Sequence, residues 1–156
     1  MNLHVNNLKD TEQIGKIIGR CIEGGTVICL DGDLGVGKTA LTQFIAKELG
    51  VDEYITSPTF TIIKEYEGRL PIYHMDVYRI DSEEGMYDLG YDEYIYSEGV
   101  TIIEWSHLIE NILPEERINI EIKRVDEQGR LFTVDGKGRV FKKLAEELKK
   151  YENTCN

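Results

Sequence analysis

Apolar residues in this chain recur with two periods, and the switches between them mark out the elements. In "TEQIGKIIGRCI" (residues 11–22), Ile14, Ile17, Ile18, Cys21 and Ile22 share one helical face, with Asp10 the expected N-cap. The "EGG" that follows stops this helix. "TVICLD" (26–31) is then an unbroken apolar run, the pattern of a strand covered on both faces. A glycine-rich segment from Gly32 leads into a second helix that runs to about Leu49 and stops at Gly50. "SPTFTIIKEYEGRLPIYHMDVYRI" predicts two strands joined near Glu67–Arg69, the second with Pro71 at its start, where a missing N–H is tolerated. Residues 81–97, acidic and Tyr-rich, predict short helical turns within a loop. "VTIIEW" predicts another strand; "RINIEIKRV" alternates strictly, and "GRLFTVDG" pairs with it as a hairpin across "DEQG". "GRVFKKLAEELKKY" is an amphipathic helix carrying Val140, Phe141, Leu144, Ala145 and Leu148. No repeat, low-complexity tract or linker interrupts the order, so one mixed α/β domain over 1–156 is expected.

Composition narrows the partners. With 18 Lys and Arg against 29 Asp and Glu, the net charge is −11. Such a surface disfavours autonomous binding to nucleic acid, which needs phosphates neutralised by Lys and Arg. DNA is not an expected partner, and an RNA would be reached through another protein. No apolar run approaches the roughly 20 residues that cross a bilayer. "MNLHVNNLKD" has neither the basic nor the apolar stretch of a signal peptide. Cys21, Cys29 and Cys155 are odd in number and lack a CxxC pair, which argues against a disulfide framework or a zinc site. A cytoplasmic setting is expected.

The chemistry starts in "LDGDLGVGKTAL". Gly32-x-x-x-x-Gly37-Lys38-Thr39 is a complete P-loop pattern, between a predicted strand and a predicted helix. Glycines allow the backbone N–H groups to turn around phosphate oxygens, and the helix aims its positive end at them. Lys38 suits the β and γ phosphates, and the Thr39 hydroxyl suits Mg²⁺. Guanine-specific enzymes carry an Asn-Lys-x-Asp stretch; "KRVD" (123–126) is the nearest approach and departs from it, so ATP is favoured.

Phosphoryl transfer needs further carboxylates. Asp76 in "YHMDVYR" and Glu104 in "GVTIIEWSH" both sit where strands parallel to "TVICLD" would deliver them to the ligand-binding edge of the sheet. Glu104 stands where a Walker B strand more commonly has Asp. His74 reads as a hydrogen-bonded structural residue before it reads as a general base, His107 as solvent-facing, and His4 has nothing around it. "TSPTFT" (56–61) is either a turn around Pro58 or a switch loop that senses the γ-phosphate.

With "GDLGVGKT", "SPTFTIIKEY", "YHMDVYR", "DLGYDEY" and "IIEW" in this order, the chain resembles the TsaE (formerly YjeE) family, bacterial ATPases required to make tRNA threonylcarbamoyladenosine. The resemblance runs from the first helix to the hairpin near residue 134. It implies a P-loop NTPase-like α/β fold of three layers, with a mixed central sheet flanked by helices. The implied partners are TsaD and TsaB-like proteins, which transfer a threonylcarbamoyl group onto adenosine; the ATPase would stimulate or reset that complex. Carried over by motif, the loop Gly32, Asp33, Leu34, Gly35, Val36, Gly37, Lys38, Thr39 and Ala40 would hold the nucleotide. Lys38, Asp76 and Glu104 would be catalytic. Thr39, Asp76 and Glu104 would serve Mg²⁺, one acid holding the metal and one orienting water. Thr59 and Thr61 would lie in the switch-like loop, and Thr11 and Arg130 match positions that would approach the nucleotide. Ala40 departs from relatives with a second hydroxyl there, and the tail "KKLAEELKKYENTCN" finds no firm counterpart.

Two other readings remain open on sequence. A small-molecule kinase would want an arginine-rich lid, and only Arg117 and Arg124 follow Glu104 ahead of the hairpin. A nucleotide-gated binding module would hydrolyse ATP incidentally, which a Glu104→Gln chain distinguishes.

Overall fold

The computed structural model describes residues 1–59 and 62–155. In chain order its first half runs β1 (Asn2–Val5), α1 (Leu8–Cys21), β2 (Val27–Gly32), α2 (Lys38–Glu48), β3 (Ile63–Tyr66) and β4 (Ile72–Asp76). The second half runs α3 (Glu83–Asp88), α4 (Tyr91–Ile95), β5 (Val100–Glu104), a 3-10 segment (Ser106–Ile112), β6 (Ile118–Arg124), β7 (Arg130–Gly136) and α5 (Arg139–Cys155). Seven strands form one mixed sheet in the order β1-β7-β6-β2-β5-β4-β3. The central four, β6, β2, β5 and β4, are parallel, and β3, β7 and β1 run antiparallel to their neighbours.

Alternation along the central strands feeds two cores. Ile28 and Leu30 of β2, with Val100 and Ile102 of β5, face α1, α2 and α5. Val27, Cys29 and Ile103 face α3, α4 and the 3-10 segment through Met86, Tyr91, Ile95 and Ile109. The result is the expected three-layer α/β arrangement, and the face shared with α2 is the one that also carries the acids described below. Helices α1 and α2 approach so closely that a Cβ on Gly15 would stand 2.5 Å from the Cβ of Phe44. Cys21 and Cys29 are buried free thiols, and burial pushes the Cys29 thiol up to about 12, an inert core residue. No helix among the described residues is long and apolar enough to cross a membrane.

Three elements differ from the pattern in the sequence. The N-cap of α1 is Asn7, not Asp10: the Asn7 side chain accepts from Asp10 N at 3.0 Å, while Asp10 accepts from Asn6 N at 2.9 Å. Asp10, the third residue of the helix, thus reaches back past the cap to the residue before it. Strand β1 was not among the expected elements: it alternates exposed and buried residues over only four positions and pairs antiparallel with β7. The strand expected through "SPTFTIIKEYEG" begins only at Ile63, because Ser57–Thr59 turns toward Asp76 instead. Replacing the cap, Asn7→Ala, is expected to cost about 1 kcal/mol, read as a fall in Tm of about 2–4 °C for a chain of this size. An unchanged melting curve would mean that Asp10 alone holds the helix start.

Candidate active site

The Gly32–Thr39 loop is built by the junction of β2 and α2. A Cβ on Gly32 would meet Ile122 O at 2.6 Å, so only glycine lets the chain leave β2 this close to β6. Gly37 precedes α2 with a φ of 120°, open to glycine and strained for other residues. Gly37 offers no side chain to cap α2 and no acid lies in its first turn, so its first N–H groups are open to an acceptor from outside the helix. Within the loop, Leu34 is 87% exposed, Asp33 and Gly35 are exposed, and Val36 packs into the core. Arg130 anchors the loop from β7 by donating from Nε to Val36 O at 2.9 Å. Arg130, Thr11, Gly35, Val36, Gly37 and Ala40 line a cleft of about 500 Å³ on one side of the loop, where Thr11 itself is largely buried.

On the other side of the loop, Lys38, Thr39, Ser57, Thr59, Asp76, Glu104 and Trp105 line a second cleft of about 290 Å³. Parallel pairing of β4 and β5 sets Asp76 directly opposite Glu104 at the carboxyl ends of the strands. Both are buried. Asp76 Oδ1 accepts from Tyr78 N at 3.0 Å, and its Oδ2 accepts from the Thr59 hydroxyl at 3.2 Å and the Ser57 hydroxyl at 3.5 Å. Glu104 Oε2 lies 2.5 Å from His74 Nε2. Lys38 is buried beside them and folds back, donating to Gly32 O and, at 3.1 Å, to Asp33 O. Burial lowers the Lys38 pKa, opposed by the nearby charges of Glu104, Asp76, Asp31 and Asp33.

Two residues other than glycine have positive φ among the described residues: Ile62 (69°), whose carbonyl accepts from Asp76 N at 2.8 Å, and Trp105 (61°), which lines this cleft. Such strain in a β-branched or bulky residue persists only where its surroundings hold it. At Trp105 the holder is Asp31, which accepts from the Ser106 hydroxyl and, at 3.3 Å, from His107 N, and lies 2.9 Å from His107 Nδ1. The turn therefore ends β5 at Glu104 and lays the indole under Lys38, with Nζ 4.4 Å from the ring centre. Tyr78 covers the indole, ring centres 4.8 Å apart.

An all-oxygen donor set of one hydroxyl and two carboxylates suits a hard cation that keeps several waters and takes phosphate oxygens, which is how Mg²⁺ is usually held. No cluster of three or more His, Cys, Asp or Glu that could hold a metal by itself occurs among the described residues. The donors present fit a metal brought with phosphates better than a resident one.

A family model described as "Threonylcarbamoyl adenosine biosynthesis protein TsaE" matches residues 5–132. The chain belongs to the TsaE family. A Bacillus subtilis protein described as "tRNA threonylcarbamoyladenosine biosynthesis protein TsaE" is 46% identical over 96% of this chain and 94% of its own length. A Treponema pallidum protein of the same description is 43% identical over 81% of this chain and 93% of its own. The crystal structure of Bacillus subtilis YdiB superposes with a TM-score of 0.82 at 41% identity, covering 97% of this chain and 95% of that one.

In this TsaE-family chain Lys38, Thr39, Asp76, Glu104 and Thr59 meet in one cleft, while Thr11 and Arg130 border the neighbouring one. Thr61 lies outside the described residues. His74 is buried and hydrogen-bonded, and His107 is 56% exposed at its side chain while held by Asp31. Sequence reasoning passed over Ser57 and left Trp105 undecided; the Ser/Thr-rich run and the single Trp beside the strand-end acid were the available signals. Because Trp105 is the only tryptophan and Lys38 rests on it, Mg-ATP is expected to change its emission saturably as Lys38 turns to phosphate. A flat titration under conditions where equilibrium dialysis detects binding would contradict that coupling.

Proposed function

We propose that this chain is a Mg²⁺-dependent ATPase, slow alone, that stimulates or resets the TsaD–TsaB-like transferase of tRNA threonylcarbamoyladenosine synthesis. As a TsaE-family member its place is in that biosynthesis; the hydrolytic role is our reading of the site. What carries it is the convergence of Lys38, Thr39, Asp76 and Glu104 beside an uncapped helix N-terminus.

The loop amides and the α2 N-terminus receive the phosphates, and Lys38 exchanges the Gly32 and Asp33 carbonyls for β and γ phosphate oxygens. Thr39 and Asp76 would hold Mg²⁺, which when bound neutralises the phosphate charge. We assign Glu104 to the water: one of its oxygens is engaged by His74, and the other serves the cleft. The nucleoside end extends past Gly35 and Ala40 into the cleft bordered by Thr11 and Arg130. Thr59 and Ser57, bonded to Asp76, put the loop in a position to sense the γ-phosphate.

An ATPase that acts by stimulating or resetting another enzyme is a site that its partner completes. Turnover is therefore expected well below the enzyme median of about 10 s⁻¹. The net charge of −11 favours docking on a basic protein surface and disfavours direct tRNA binding. The kinase reading loses one of its two arginines: Arg117 is bonded to Asn119 and Pro114 at the amino end of β6, the opposite edge of the sheet from the P-loop, which leaves Arg124 alone at the carboxyl end and short of an arginine-rich lid. Phosphate release from ATP by the full chain, abolished by chelating Mg²⁺ and raised by the TsaD–TsaB pair, tests the proposal. Phosphorylation of a small-molecule acceptor in place of water would overturn it.

A further inference from the structure

His74 is the buried titratable group at this site to which no step above gives a task of its own. It stands two residues before Asp76 on β4, and therefore on the same face of the sheet, with Lys64 of β3 and Ile102 of β5 as its cross-strand neighbours. The ring is fully buried, and Nε2 lies 2.5 Å from Glu104 Oε2. Its Nδ1 is buried too, and meets no hydrogen-bond partner among the described residues.

These two facts fix which nitrogen carries the proton. A proton on Nδ1 would be a buried donor without an acceptor, and Nε2 would then turn a lone pair toward a carboxylate. A bare Nδ1 leaves only an unfilled lone pair, the cheaper of the two orphans. The ring is therefore the Nε2–H form, donating to Glu104. A carboxylate sunk at a strand end without a donor loses its hydration for nothing in return. Free to swing, it would find the Lys38 ammonium in the same cleft.

We propose that His74 is the positioning residue of the site: its Nε2–H holds Glu104 Oε2, leaving Oε1 to accept from the attacking water and keeping the carboxylate off Lys38. The imidazole never touches the nucleotide or the water. It acts through Glu104, as the partners that orient reactive carboxylates and metal ligands do elsewhere. The inference rests on the reading of Glu104 as the water-orienting acid.

Glutamine carries its amide nitrogen as many bonds from Cβ as Nε2 is, and asparagine as many as Nδ1. His74→Asn is expected to lower single-turnover hydrolysis about 10- to 100-fold while ATP affinity, read from Trp105 emission, stays near native. His74→Gln is expected to restore most of the rate, which loss of packing alone would not explain. Independently of turnover, long-range ¹H–¹⁵N spectra of the native chain should show His74 carrying its proton on Nε2, with the Nε2 resonance moving on Glu104→Ala. An Nδ1–H ring would overturn the positioning role alone, as would a His74→Asn chain that hydrolyses at the native rate or a His74→Gln chain equally impaired. A Glu104→Gln chain hydrolysing at the native rate would instead remove the reading beneath it. Should His74→Asn fail to fold, the tautomer of the native ring decides.

Discussion

Lys38→Ala is expected to give a folded chain whose ATP hydrolysis falls by at least about 10²- to 10³-fold, the size of loss seen when one preorganised charge-stabilising donor is removed. Lys38 is buried among Glu104, Asp76 and the Gly32 carbonyl, and those groups disfavour phosphate once the ammonium is gone. ATP affinity should fall with the rate, because the ammonium contacts phosphate in the ground state as well as in the transition state. Phosphate release and dialysis binding measured on the same preparation check both. A variant with the native rate would remove the P-loop assignment, since no other cation lines that cleft among the described residues.

Glu104→Gln separates binding from chemistry. The amide oxygen can still accept from His74, so the side chain stays in place and ATP binding is expected to persist. Hydrolysis is expected to fall by about 10²- to 10³-fold, because an amide cannot draw a proton from water. The same variant discriminates between an ATPase and a gated module. A Glu104→Gln chain that binds ATP, fails to hydrolyse it and yet supports multiple rounds of tRNA modification would favour the module. One that supports a single round and then stalls fits a resetting ATPase.

Much of the fold was legible because period and punctuation agreed. Ile14, Ile17, Ile18 and Cys21 announced the buried face of α1, and the run Val27–Leu30 announced a central strand. The P-loop spacing fixed what lies between β2 and α2. The two acids were legible one by one as strand ends, but their pairing was not. That Asp76 faces Glu104 depends on the β4–β5 register, which no single segment encodes. The cap of α1 lies three residues before the expected one because Asn7 and Asp10 are both cap-forming residues, and the Asp10 side chain is engaged by Asn6 N instead. Trp105 looked like the end of a strand because an aromatic after Ile-Ile-Glu suits one. The positive φ that turns it out of the sheet comes from Asp31, 74 positions earlier in the chain, accepting from Ser106 and His107. His74 showed its hydrogen bond only in three dimensions for the same reason: its partner is on another strand.

The central claim, that this TsaE-family chain hydrolyses ATP to drive repeated cycles of threonylcarbamoyl transfer, is tested most directly by reconstitution. Modified adenosine in tRNA would be counted per transferase complex, with TsaD and TsaB-like proteins, in the presence and absence of this chain, with ATP or a non-hydrolysable analogue. The account predicts many turnovers only with the chain and ATP together, and no more than about one per complex with the analogue. Equal multiple turnover with the analogue, or without the chain, would contradict it.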